Sequence, residues 1–259
     1  KWPSYKDGKA MKLAGTLSLA DTKMTYHKVS SKDSLINMIK EGFTSIANMP
    51  KVYNGIVKRS VLEIIYKKIG TYFPGPSPDM ANAVALSLVS SNYTYLNFPI
   101  IIGGQCATVG GGARIVKGGY QKLSDQKILP KDSEDVWEKF LPKVWCVETV
   151  WPESGIKALK AMDAFDLLKH VNKEQLLSIF VAHRPWIKKM AIDLSDNPKI
   201  MLFKSKLYSF KIVCKNIKSI FKYKIQGRTP ENLKIYRGIN DIIEAESFIY
   251  SKYSQFPFL

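Results

Sequence analysis

Asp79 is the residue whose type and setting most invite chemistry. It closes the stretch Tyr72-Phe73-Pro74-Gly75-Pro76-Ser77-Pro78-Asp79, in which three prolines fix φ and restrict each preceding residue, so the loop is stiff and ends on a carboxylate. Residues Ala81 to Val89 follow, rich in Ala, Leu and Val, a pattern that predicts a helix buried nearly all round. A carboxylate held this way is pre-positioned as a general base must be. An Asp ahead of an Ala-rich helix also serves as an N-cap, and the two roles are compatible, since one oxygen can cap while the other faces a cleft.

Other candidate groups are weaker. Five glycines lie in the ten positions from Gly103 to Gly112, and such a loop either lines a substrate site or simply turns between strands. It lacks the spacing and the terminal Lys-Ser/Thr of a phosphate-binding P-loop. His27, His170 and His183 are far apart and show no zinc-ligand spacing, so no metal ligation by histidine is expected. Cys106, Cys146 and Cys214 form no CxxC pair and read as small apolar residues of a reducing compartment rather than as nucleophiles or a disulfide framework.

Charge is concentrated in one place. The chain of 259 residues carries a net +17, and residues 199–226 contribute eight lysines and no acid to it. Phe203, Leu207, Phe210, Val213, Ile217, Ile220 and Phe221 recur there at helical spacing with lysines beside them, which predicts a basic amphipathic helix. Three uses fit that pattern: attachment to an anionic membrane face through Lys204, Lys211, Lys215, Lys218 and Lys222, binding of nucleic acid, or a core-packed helix with a solvated basic side. No zinc-finger spacing, RRM signature or KH loop accompanies the charge, so nucleic acid is not the expected partner.

The elements that must hold these groups are legible in outline. Strands are expected between Leu13 and Tyr26, a helix from Asp33 to Glu41 stopped by Gly42, and a second from Ser60 to Ile69 ended by Gly70. The helix 60–69 is expected to turn Val61, Leu62, Ile64, Ile65 and Ile69 inward. Tyr93 to Leu96 and Phe98 to Ile102 read as a strand pair in the core, and residues 155–190 as mostly helical. A composition of 46% hydrophobic and 24% charged residues suits a folded chain, and every apolar run is interrupted well short of the roughly 20 residues of a spanning helix.

The succession Met49-Pro50-Lys51-Val52-Tyr53-Asn54-Gly55-Ile56-Val57-Lys58-Arg59, the loop Gly70 to Asp79, and Phe98-Pro99-Ile100-Ile101-Ile102-Gly103-Gly104, behind an upstream Trp2-Pro3, resemble the acceptor-side half of family 2 glycosyltransferases. These are inverting enzymes of GT-A fold, and the likeness covers roughly residues 1 to 112. It implies that Asp79 is the catalytic base, deprotonating an acceptor hydroxyl that attacks the anomeric carbon of a nucleotide-sugar. It also implies that Tyr53, Asn54 and the loop carrying Gly103, Gly104, Gln105 and Thr108 lie on the acceptor side. The family loop carries Asn-Gly followed by Ser or His where this chain has Gly103-Gly104-Gln105-Cys106-Ala107.

The resemblance further implies a divalent metal, Mg or Mn, held by a DxD-type cluster in an upstream βα region. No DxD occurs in these residues, and the chain begins at Lys1, so the expectation is the C-terminal portion of a longer transferase, with the metal ligands elsewhere. The expected fold is mixed α/β: a partial GT-A-like domain over 1–150, then a helical region over 151–259 with the basic helix near 199–226. The expected function is sugar transfer from a nucleotide-sugar to a glycan or lipid-linked acceptor in surface polysaccharide synthesis, at the cytoplasmic membrane face. The alternative is a non-catalytic membrane-surface or nucleic-acid-binding module.

Overall fold

The computed structural model describes residues 15–19, 25–104, 121–126, 129–226 and 233–253. These residues are mostly helical, and their strands pair only two by two. No Rossmann-like parallel sheet of the kind expected for a partial GT-A-like domain is among them. Of the small sheets, β1 (Thr16–Leu19) pairs antiparallel with β6 (Lys234–Arg237), and β4 (Gln121–Lys122) pairs antiparallel with β5 (Val144–Trp145). The third joins β2 (Tyr26–Ser30) to β3 (Asn92–Leu96). The second strand of the predicted core pair, Phe98 to Ile102, is irregular instead, and Ile100 and Ile101 are exposed. An apolar run of five with a proline inside cannot be told from a loop by propensity alone, and here tertiary context decides.

The chain forms two compact units. The larger comprises residues 28–94 and 120–213 and is built around α3 (Pro78–Val89), which packs most extensively on α4 (Val147–Ala161) and also against α1 (Ser31–Lys40) and α2 (Arg59–Ile69). Residues Met80 to Ser87 of α3 are all buried, as their apolar, charge-free sequence predicts. Helices α5 (Phe165–Leu168), α6 (Lys173–His183) and α7 (Lys188–Leu194) complete this unit, with Leu176, Leu177 and Phe180 of α6 fully enclosed. One core holds Leu35, Phe43, Met80, Val84, Ile156, Leu159, Leu177 and Phe180 together.

The helix termini follow their local chemistry. Ser30 caps α1, its hydroxyl accepting from the Asp33 N–H at 3.2 Å, so the helix starts two residues ahead of the Asp33 expected from the sequence. Gly70 ends α2 in the left-handed region at φ 72°, where a Cβ would be strained. On α2, Ile65 is buried but Ile64 is exposed, so the predicted inward set is narrower than expected. Gly155 answers a different need. A Cβ there would lie 2.3 Å from the ring of the buried Phe43, so only glycine lets that ring seat against α4.

The smaller unit comprises residues 1–27, 95–119 and 214–259. Its described core is Leu17 of β1, Ile239, and Ala245 of α9 (Ile242–Tyr253), flanked by Ile102, Tyr236 and Phe248. The basic helix of the sequence is α8, Pro198–Gln226, a single helix over all 29 residues. No helix among the described residues is long and apolar enough to cross a membrane.

Candidate active site

Asp79 sits in the first turn of α3, two residues after the N-cap, which is Ser77. The Ser77 side chain makes no capping bond, and its backbone N–H donates to the Ser154 hydroxyl on α4 at 2.7 Å. That hydroxyl in turn donates to the Val150 carbonyl, so the tie is satisfied at both ends. Asp79 is therefore not the cap. Its carboxyl receives no hydrogen bond from any described residue, and Pro78 at the first helical position leaves no N–H there to satisfy.

The loop before it is fixed by contacts the sequence does not announce. A Cβ on Gly75 would meet the Ser154 Cα at 2.9 Å and the Ser154 carbonyl oxygen at 3.0 Å, so the loop lies directly on the α4 backbone. Tyr72 anchors the other end. Its hydroxyl donates to Glu63 at 3.1 Å, its ring stacks on Tyr66 at 4.8 Å between centroids, and its carbonyl accepts from the Asn82 amide at 3.1 Å. Glu63 also pairs with Arg59 at 3.0 Å, so α2 and the loop share one carboxylate. The Oδ1 of Asn82 is buried without a hydrogen-bond partner, one turn from Asp79 on the same helix.

Electrostatics set the state of Asp79. Burial pushes its carboxyl above the ordinary value, and the Lys51 ammonium partly offsets that rise. Lys51 is the residue that sequence reasoning left without a role. Burial lowers its own pKa against the pull of Asp79, and its Nζ donates to the carbonyls of Ile46 and Ala47 at 3.3 and 3.4 Å. A lysine that interacts with a carboxylate 28 positions away is a tertiary fact, and only its membership of the Met49 to Arg59 stretch pointed toward it.

Tyr53 and Asn54 follow one residue after Lys51, beyond Val52, both exposed, in a tight turn where the Gly55 N–H donates to the Val52 carbonyl at 3.3 Å. Asn54 adopts φ 61°, and a Cβ on Gly55 would lie 2.3 Å from the Lys51 carbonyl oxygen, so the turn that presents Tyr53 is locked to Lys51 by the absence of a side chain. Of the predicted acceptor residues, these two share the larger unit with Asp79. Gly103 and Gly104 are exposed, irregular and part of the smaller unit; Gln105 and Thr108 lie outside the described residues.

Two further carboxylates of α4 are enclosed, and neither was anticipated. Glu153 is fully buried, accepts from the Glu138 N–H at 3.0 Å and pairs with Lys157 at 3.0 Å; burial still pushes its pKa up. Glu148 pairs with Arg184 at 3.1 Å. Burial raises its pKa, but its own backbone N–H and the Arg184 guanidinium outweigh that and hold it below the ordinary value. Both are engaged by partners within the core, although the Glu153 Oε1 makes no hydrogen bond beside its ion pair. Cys146 is buried at the head of α4 with its thiol pushed up by burial, in keeping with the inert role expected of it.

Among the described residues no group of three His, Cys, Asp or Glu could hold a metal ion. The described residues thus offer no ligand set for the divalent metal that the sequence resemblance implies, whose ligands are expected elsewhere, and among them Asp79 is a carboxylate beside the Lys51 ammonium. The arrangement can accept one proton at Asp79 and present one positive charge beside it. No protein-family model, curated protein or solved structure matches this chain.

Proposed function

We propose that the chain is the acceptor-side portion of an inverting glycosyltransferase of GT-A type in which Asp79 is the general base. The observation that carries this reading is the state of that carboxyl: fixed at the head of α3 by a loop seated on α4, without a hydrogen bond from any described residue and raised by burial. A carboxylate whose pKa moves up toward working pH is a better proton acceptor, and one not engaged as a cap is available to a substrate hydroxyl.

In the proposed step Asp79 takes the proton of an acceptor sugar hydroxyl. The oxygen's electron pair forms the new bond to the anomeric carbon as the bond to the nucleoside diphosphate breaks, which inverts that carbon. Tyr53, exposed on the turn locked to Lys51, supplies an aromatic face of the kind that stacks on a sugar ring. The Lys51 ammonium opposes the rise that burial imposes on Asp79 and places one positive charge beside the base. No step is routed through a metal, since the described residues offer no site for one. The nucleotide-binding βα region that the reading requires is likewise not among them.

The test is sugar transfer by the native-length polypeptide from its source cells, with a panel of nucleotide-sugars and cell-envelope glycans as acceptors. Asp79→Asn is expected to lower kcat by about 10² to 10⁴-fold, the usual worth of a general base, with the fold intact by circular dichroism. Unchanged turnover sinks the assignment.

A further inference from the structure

We propose that α8 is a membrane-surface helix whose exposed apolar stripe, flanked by lysines, docks on an anionic lipid bilayer without crossing it. The stripe is not core. Phe203, Phe210, Ile217 and Ile225 are 64%, 69%, 61% and 68% exposed, and Leu207, Val213, Ile220 and Phe221 are exposed with them. At about 100° per residue these eight side chains fall within an arc of about 140° along a helix about 43 Å long.

The helix has its packed side elsewhere. Met201 and Ser205, on the opposite face, are buried, and the Ser178 hydroxyl of α6 donates to the Met201 carbonyl at 3.0 Å. The helix is thus anchored through one side while its most apolar side faces solvent, an arrangement that water penalises and a partner would relieve.

Charge decides which partner. Residues 199–226 hold eight lysines and no acid. Lys204, Lys211, Lys215, Lys218 and Lys222 lie on one flank of the stripe, within about 60° of one another, while Lys199, Lys206 and Lys224 fall within the arc of the stripe itself, toward the two ends of the helix. A bilayer with anionic headgroups supplies both an apolar phase for the Phe and Ile side chains and phosphates for ammonium groups that snorkel on long stems. A second copy of this helix would bring two lysine-rich flanks of like charge together. Nucleic acid would meet the lysines and leave the stripe in water. Since α8 is not apolar enough to cross a membrane, the helix lies in the plane of the interface.

The experiment is flotation of the full chain with phosphatidylcholine vesicles that contain or lack phosphatidylglycerol, over a salt series. The wild type is expected to float with the anionic vesicles and to be released progressively by salt. Lys211→Glu/Lys215→Glu/Lys218→Glu should lose at least about fivefold in partitioning per lysine replaced. Phe203→Glu/Phe210→Glu/Ile217→Glu should abolish flotation with the lysines intact; where that triple variant fails to fold, Phe210→Ser/Ile217→Ser replaces it, since both side chains are solvent-exposed. Equal recovery of wild type and stripe variants overturns the proposal, as does absence of wild-type flotation, whether the chain then self-associates through the stripe or retains RNA. The inference does not depend on Asp79: Asp79→Asn should float as the wild type does.

Discussion

Asp79 carries a cost to folding that its removal should expose. A carboxyl whose folded pKa lies above its unfolded value of 3.8 binds its proton more tightly in the folded state, so stability falls as pH rises from about the unfolded value through the folded one. Above that window the penalty is complete. Asp79→Asn removes the charge, so the variant is expected to melt at the same temperature as the wild type near pH 3 and at a higher temperature at pH 7.5. A residue retained only for its charge at the head of α3 would show the reverse, a loss at neutral pH, because only the carboxylate favours the helix dipole. Thermal melts at the two pH values distinguish these outcomes. The position of Asp79 was legible in the sequence through the proline-stiffened loop and the apolar run behind it. The identity of the cap was not, because Ser77 and Asp79 are both good capping residues and backbone geometry alone selects Ser77. Lys51 was not legible either, since its effect on Asp79 exists only once α3 and the 46–51 segment are brought together.

Element by element, the site depends on how closely the loop 72–78 approaches α4. Gly75→Ala places a methyl 2.9 Å from the Ser154 Cα and 3.1 Å from the Ala81 Cβ, and backbone cannot yield as a flexible side chain would. The expected result is a stability loss of about 1 to 3 kcal/mol, the range for an overpacked site. If Asp79 is the base, kcat should fall as well, by about 10²-fold, since an ångström of misplacement costs that much. Chemical denaturation with a transfer assay on the same protein checks both; a variant that melts like the wild type would show that the loop is free to lift from α4. Helices α1, α2, α3 and α8 were readable from caps, terminal glycines and apolar spacing, all of which are local signals. The sheets were not. A two-residue strand such as β4 carries no periodicity, and β1 finds its partner β6 more than two hundred residues away. The Rossmann-like sheet that the described residues lack was expected from the resemblance of short motifs, and such motifs do not say which strands pair.

At the scale of the molecule, the described residues of the two units differ in how much apolar surface they enclose. The described core of the smaller unit consists of Leu17, Ile239 and Ala245 with a few half-buried neighbours, whereas the larger unit encloses Leu35, Phe43, Met80, Leu159, Leu177 and Phe180 with many others. Burial of apolar side chains is the main term opposing chain entropy, at about 1.5 to 3 kcal/mol for each large one, so the two cores cannot resist opening equally. Amides of β1, β6 and α9 are therefore expected to exchange with deuterium well before those of α3, α4 and α6, with at least about tenfold lower protection. Hydrogen exchange read by mass spectrometry on the full chain checks this, and uniform protection across both sets would mean that the smaller core is supplemented by contacts beyond its described residues. Anionic vesicles add a second reading of the same experiment. If α8 beds into the lipid interface, its backbone from Phe203 onward should gain protection on vesicle addition, while the α3 and α4 amides, already slow, should not change. The fast set and the vesicle-sensitive set would then separate a unit that opens because its core is small from a helix exposed because its partner is a membrane.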